Sequence, residues 1–283
     1  MQPLPGCEHP LHKVCRLRRA IYGLKQVPQT WFKFQLVVSQ QDFFSSPYEF
    51  ALFLRNTGVV NIILLLNVDG MITTSDDIAG IRYLQNFHSQ NFEMKNLGYL
   101  NYLLGVEVNS SQDGYYLTQA KYASSLVSKA GLINSKIDNS PLEYNTKLLA
   151  TDGVSLSDAT LNQQLVSSLI YLDVTEPDIL YVVYLVSQFK STSRSTHFAN
   201  VLRILRYING TLFHGLHFSS HLSLEIQTYS NAGWAGDPID RHSTTGYYFL
   251  LGTYLISWHS KKQSVVARSS TKTKHHALTN TTC

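Results

Sequence analysis

Ile62, Ile63, Leu64, Leu65 and Leu66 form an apolar run that closes on Asn67, Val68, Asp69 and Gly70. A strand that carries carboxylates to its tip can hold the metal ions of nucleotidyl transfer. Paired acids keep both ions in place while these neutralise the attacking and leaving oxygens. Such a centre uses two acids, and this tip carries one, Asp69, followed by Gly70. The run therefore raises two questions: which reaction it served, and whether it still serves it.

Other groups suggest less. Asp76 and Asp77 precede an amphipathic stretch, where acids sit at the positive end of a helix dipole, so capping is the better reading. His214, His217 and His221 are spaced like ligands but fall around strand-like segments, with no cysteine or carboxylate of fitting spacing, and read as surface or loop histidines. Lys261 and Lys262, with Trp258 and Arg268 nearby, suit a phosphate backbone about as well as a solvated turn. No Gly-x-Ser-x-Gly elbow supports a serine nucleophile.

The elements that must position these groups follow from pattern. Residues 28–41 read as a helix opened by Pro28. Residues 49–55 and 59–68 read as strands joined by Asn56, Thr57 and Gly58. A helix runs from Asp76 to about Gln90, and strands follow near 102–109 and 114–118, turned by Asp113 and Gly114. Residues 119–130, 161–172, 178–190 and 197–208 read as helices. The last carries Val201, Leu202, Ile204, Leu205 and Ile208 on one side, with Arg203 and Arg206 turned away. Residues 135–159 are polar and irregular and read as a linker or arm. Strands are expected at 222–230, 245–251 and 255–258, and a last helix from Ser269 and Ser270.

Composition sets limits. The 283 residues allow one large or two modest domains, and a net charge of +4 permits a polyanionic partner without requiring one. Cys7, Cys15 and Cys283 are scattered and show no metal-ligand spacing, which points to a reduced, intracellular chain. Neither a signal peptide nor a stretch long enough to span a membrane is apparent.

Several blocks then fall in a telling order: Tyr22, Gly23, Leu24, Lys25 and Gln26; the tip at Leu66–Gly70; Tyr102, Leu103, Leu104, Gly105, Val106 and Glu107; Glu176, Pro177 and Asp178; Arg206, Tyr207 and Ile208; Ser230, Asn231, Ala232, Gly233 and Trp234; Ser257, Trp258 and His259. Together they resemble the Pol polyprotein of copia-type long-terminal-repeat retrotransposons, from the middle of the reverse transcriptase into ribonuclease H. The resemblance covers essentially the whole chain.

It implies an α+β fold. A truncated palm would occupy residues 1–118 and a helical thumb and connection 119–210. The N-terminal half of a ribonuclease H-like domain, with an incomplete three-stranded sheet, would occupy 211–283. An open sheet edge and exposed apolar surface are expected there. In the family, Mg2+ is the cofactor, and RNA template, DNA primer and RNA–DNA hybrid are the partners. Asp69 matches the first acid of a Tyr-Val-Asp-Asp hairpin, Gly70 replaces the second and Asn67 the tyrosine. The remaining palm acid lies on an earlier strand, outside this sequence.

Tyr22, Gly23, Leu24, Lys25 and Gln26 resemble the segment lining the nucleotide and template pocket. Tyr102, Leu103, Leu104 and Gly105 resemble the primer-grip turn, and Lys261 and Lys262 the hybrid-binding surface. The family's Ser-Asp-Ala-Asp-Trp strand reads Ser230, Asn231, Ala232, Gly233 and Trp234 here, and its Glu-Ala-Glu-Tyr helix segment reads Lys272, Thr273, Lys274 and His275. Lys274 puts a cation where the family holds magnesium. Of the four metal-ligand positions that can be checked, at residues 69, 70, 231 and 274, only Asp69 is filled. The expectation is a catalytically inactive reverse transcriptase and ribonuclease H segment. It would bind no metal productively, keep only residual metal contact at Asp69, and hold nucleic acid weakly or not at all. The alternative is a domesticated, non-catalytic protein that binds nucleic acid or another copy's polymerase.

Overall fold

Strands and helices arise where alternation or a 3.6-residue period gives one apolar face. The computed structural model describes residues 34–58, 60–67, 70–92, 95–144, 146–237 and 239–282. The chain divides into two compact units, Met1–Gly98 and Tyr99–Cys283.

In the first unit a helical segment, residues 34–39 (α1), precedes four strands: β1 (Phe44–Ser45), β2 (Leu52–Asn56), β3 (Asn61–Leu66) and β4 (Met71–Ser75). They pair antiparallel in chain order. Ile62 and Leu64 alternate with Ile63 along β3, and the first two are buried. Helix α2 (Ile78–Asn91) starts where Asp77 accepts a bond from the Ala79 N–H at 2.9 Å, so the acid is a cap, as expected. Phe34, Val38, Phe43, Phe53, Ile62, Leu64 and Leu84 form the core.

His88 of α2 lies in that core, 1% exposed, stacked on Phe34, and neither ring nitrogen has a partner among the described residues. Burial lowers its pKa. The unfolded chain therefore binds the proton more readily, and this unit loses stability as pH falls below the ordinary histidine value of about 6.5. Replacing His88 by Phe removes two buried, unsatisfied nitrogens and should stabilise the unit by about 1 kcal/mol. Amide-exchange protection in β3 should rise in His88→Phe, and more at about pH 5.5 than at about pH 7.5. Equal protection in both proteins would refute this.

The second unit opens with β5 (Tyr102–Leu103), β6 (Val106–Ser111) and β7 (Gly114–Thr118), then α3 (Ala120–Lys129). Glu107 of β6 accepts from the Lys121 N–H at 3.1 Å and pairs with the Lys121 ammonium at 3.0 Å, capping α3 from a neighbouring strand. Helices α4 (Thr160–Leu172), α5 (Leu180–Ser187) and α6 (Ser195–Gly210) follow, with a 3-10 turn at Pro177–Ile179. The expected helix over 178–190 is thus a turn and a shorter helix. Leu165, Leu169, Leu172, Ile179, Ile204, Leu205 and Ile208 are fully buried and build the main core.

Strand β8 (Gly215–Ser219) pairs with β7 and completes the sheet β5–β6–β7–β8. The strands expected in the palm segment therefore belong to the second unit and share a sheet with residues that follow the helices. Three further strands, β9 (Ile226–Gly233), β10 (Thr244–Leu251) and β11 (Tyr254–Lys262), form an antiparallel sheet ordered β11–β10–β9. Helix α7 (Ser270–Thr282) packs on it through a polar layer. Gln263 donates to Thr245 and to the Thr273 carbonyl, and Ser243 meets the Thr273 hydroxyl. Among the described residues β9 has no strand on its outer side, and Ile226 there is 65% exposed. No helix among the described residues is long and apolar enough to cross a membrane.

Candidate functional site

The apolar run of β3 turns into β4 through Asn67, Val68, Asp69 and Gly70. The Asn67 N–H donates to the Gly70 carbonyl at 2.8 Å, and Leu66 faces Met71 across the ladder. Asp69 lies outside the described residues, as do Tyr22, Gly23, Leu24, Lys25 and Gln26. Gly70 is described: its backbone does not need a positive φ, and a Cβ built there meets nothing within 4 Å. The glycine is therefore not demanded by the turn, and a side chain would project into open space.

Tyr102, Leu103, Leu104 and Gly105 form a second hairpin tip, with Tyr102 facing Glu107 and Leu103 facing Val106. Leu104 and Gly105 both have positive φ, at 47° and 78°, which suits a tight two-residue turn. Tyr171 of α4 donates its hydroxyl proton to the Leu104 carbonyl, and its ring would lie 3.0 Å from a Cβ at position 105. Glycine is required at 105 by both conformation and contact. The backbone of this turn is thus fixed by a helix 67 residues further along the chain.

Asn231 lies on β9 opposite Gly246, and Gly233 lies opposite Thr244. Asn231 is exposed and its side-chain oxygen accepts from the Ala232 N–H at 2.9 Å. Lys274 is exposed on α7, the helix that packs against β9. A cavity of about 1210 Å3 lies between α5 and the β9–β11 sheet, lined by Tyr181, Tyr229, Asn231, Tyr247, Tyr248 and Trp258, among others. The Trp258 N–H donates to the Asp173 carbonyl at 3.0 Å and ties this sheet to the end of α4.

The donor set does not fit a divalent ion. The acid positions expected from the resemblance hold a glycine, an amide and an ammonium at 70, 231 and 274, whereas Mg2+ and Mn2+ are held by carboxylate oxygens. Among the described residues no group of three or more His, Cys, Asp or Glu side chains could hold a metal.

The lysine pair divides. Lys262 contacts both Asp237 and Asp240 at 2.6 Å, while Lys261 is exposed. Burial alone would raise the Asp237 pKa, but Lys262 and the N–H groups of Ile239 and Asp240 hold it below the usual carboxylate range. Lys262 is thus neutralised within the chain, and Lys261 is the member of the pair facing solvent. His214 and His221 are exposed, whereas His217 lies on β8, half-buried and stacked on Tyr116 at 4.2 Å. Sequence reasoning passed over one acid: Glu176 is buried beside Pro177 and Asp178. Its neighbours read as a helix start, and no local signal marks its burial.

Comparison with known proteins follows the same blocks. Residues 1–144 match the sequence model of a reverse transcriptase (RNA-dependent DNA polymerase) family. The chain is 36% identical over 269 residues to the retrovirus-related Pol polyprotein from transposon RE2 of Arabidopsis thaliana, an alignment covering 95% of this chain and 18% of that protein. It is 32% identical to the Pol polyprotein from transposon TNT 1-94 of Nicotiana tabacum, over 95% of this chain and 21% of that protein. An uncharacterized mitochondrial protein of Arabidopsis thaliana is 35% identical over 215 residues, 76% of this chain and 89% of its own length. The chain thus spans about a fifth of the length of the two polyproteins. No solved structure matches the chain.

Proposed function

Because the chain belongs to the reverse transcriptase (RNA-dependent DNA polymerase) family of retrovirus-related transposon Pol polyproteins, we propose that it is a polymerase and ribonuclease H segment that no longer turns over. In this reading the β3–β4 hairpin is the palm tip and the Leu104–Gly105 turn is the primer grip. Helices α3 to α6 form the thumb and connection, and β9–β11 with α7 form the ribonuclease H-like part. The observation that carries the proposal is the chemistry at the hairpin tip: the position after Asp69 is Gly70, with open space where a second carboxylate would stand. Asn231 and Lys274 repeat the pattern on the β9–β11 sheet and helix α7. One carboxylate cannot hold the pair of cations that neutralises both oxygens of an in-line displacement.

What the chain itself would still do is limited. Tyr171 holds the Leu104–Gly105 turn so that its backbone can support a primer end. The tyrosines of the cavity beside Asn231 offer faces for base stacking. The pairing of Lys262 with Asp237 and Asp240 removes one positive charge from that surface.

The test is primer extension on an RNA template, together with cleavage of an RNA–DNA hybrid, each with Mg2+ and with Mn2+. The expected result is no product above a protein-free control in either assay. Metal-dependent extension or cleavage by the purified chain would overturn the proposal.

A further inference from the structure

One pocket in the second unit gathers two buried polar atoms that have no partner among the described residues. It is an open concavity of about 540 Å3 where β7, the 176–178 segment and the start of β8 meet, and Tyr116, Glu176, Asp178, Phe213, His214 and His217 line it. Glu176 is 3% exposed, and among the described residues its Oε2 has no hydrogen-bond partner. Among the described residues His217 Nε2 is likewise buried without a partner. Asp178 is exposed at the same pocket and accepts a bond from the Tyr207 hydroxyl at 2.5 Å. No Lys or Arg is among the lining residues. A buried carboxyl whose oxygen has no partner is costly, and it can ionise there only against a cation.

A ligand that lets this acid ionise brings positive charge and N–H donors. A metal ion is a poor match, because among the described residues no three ligand-type side chains converge. An anion meets two carboxylates and no Lys or Arg. A guanidinium fits. It presents several N–H donors in one plane, is weakly hydrated, and rests well against aromatic rings such as those of Tyr116 and Phe213.

We propose that this pocket binds a guanidinium group, with the Glu176 and Asp178 carboxylates as its acceptors. Burial, and then the charge of Asp178, push the Glu176 carboxyl up to about 8, so the empty pocket holds a proton that an arriving cation displaces. Asp178, His214, His217 and Tyr116 are the other titratable groups lining the pocket, and the Tyr207 hydroxyl is bonded to Asp178. The group could come from a free small molecule or from an arginine side chain of a polypeptide; the chemistry is shared.

The experiment is calorimetric titration of the whole chain near neutral pH with agmatine, with butylamine, and with a short capped peptide carrying one arginine. Expected are saturable binding of agmatine, at least tenfold weaker binding of butylamine, and heats that depend on the buffer because a proton is released. Glu176→Gln should weaken agmatine binding at least tenfold. Should that variant fail to fold, Asp178→Asn, at an exposed position, should weaken it measurably. Peptide binding much tighter than agmatine would assign the guanidinium to a polypeptide, and similar binding would assign it to a small molecule. No binding of any guanidinium compound, equal binding of butylamine, or full affinity in the folded Glu176→Gln variant would overturn the proposal.

Discussion

Raising the pH from about 5 to about 9 should strip the second unit of much of its stability, and Glu176→Gln should abolish most of that loss. The Glu176 carboxyl is pushed from an ordinary 4.5 up to about 8 by burial, with Asp178 adding repulsion. Between those values the folded chain keeps the proton and the unfolded chain releases it. Stability therefore falls as pH rises through that window and levels off above about 8. At about 1.4 kcal/mol per unit the loss is on the order of 4 kcal/mol. Asp173, raised to about 6 by burial, adds a smaller loss in the same direction at lower pH. A glutamine at 176 has nothing to ionise, so its stability profile should be nearly flat across the window that Glu176 controls. Urea denaturation of both proteins over this range, followed by amide exchange in α4 and α6, measures it. A wild-type curve that rises with pH would show that Glu176 already has a cation partner. This slope is opposite in sign to that of His88 in the first unit, so the two substitutions should act at opposite ends of the pH scale.

What was legible in the sequence was local. The β3 run, the Asp77 cap, the Gly114 turn and helices α3 to α6 each carry their signal within a few residues, and all are present. Pairing and burial across long separations were not. Strand β8 is five residues with two of them, Gly215 and His217, atypical of strands; it exists because β7, about a hundred residues earlier, offers it an edge. Arg203 and Arg206, which the helical period turns away from the core, are not idle: they bond Ser140 and Glu143, and Asp138, and hold the irregular arm onto α6. Leu148 from that arm is buried in the main core. The same limit hid Glu176. Its neighbours Pro177 and Asp178 mark a helix start, and only tertiary packing makes it a buried acid. At the candidate site the residue types were readable from the blocks they sit in, whereas the neutralisation of Lys262 and the anchoring of Leu104 by Tyr171 depend on partners 22 or more positions away.

Gly70→Asp should create metal affinity at the β3–β4 tip. Three features make the substitution clean. Position 70 needs no left-handed backbone, a Cβ there touches nothing, and the bond that closes the turn runs through the Gly70 main chain. The new carboxylate adjoins Asp69 in the chain, and two neighbouring carboxylates attract a divalent cation far more strongly than one. Mn2+ binding, followed by electron paramagnetic resonance of the free ion, should tighten at least tenfold over the unaltered chain, or about 1.4 kcal/mol. Gly70→Asn, of the same size and without charge, should leave the affinity unchanged, which separates charge from any change of the turn. If Gly70→Asp bound Mn2+ no better than Gly70→Asn, position 70 would not be a lost ligand, and the proposed loss of turnover would lose its main support. If it bound tightly and primer extension were still absent, the defect would extend beyond this hairpin. Acids at Asn231 and Lys274 would not answer for it, since those positions lie on β9 and α7, the part proposed for hybrid cleavage, rather than at the polymerase tip.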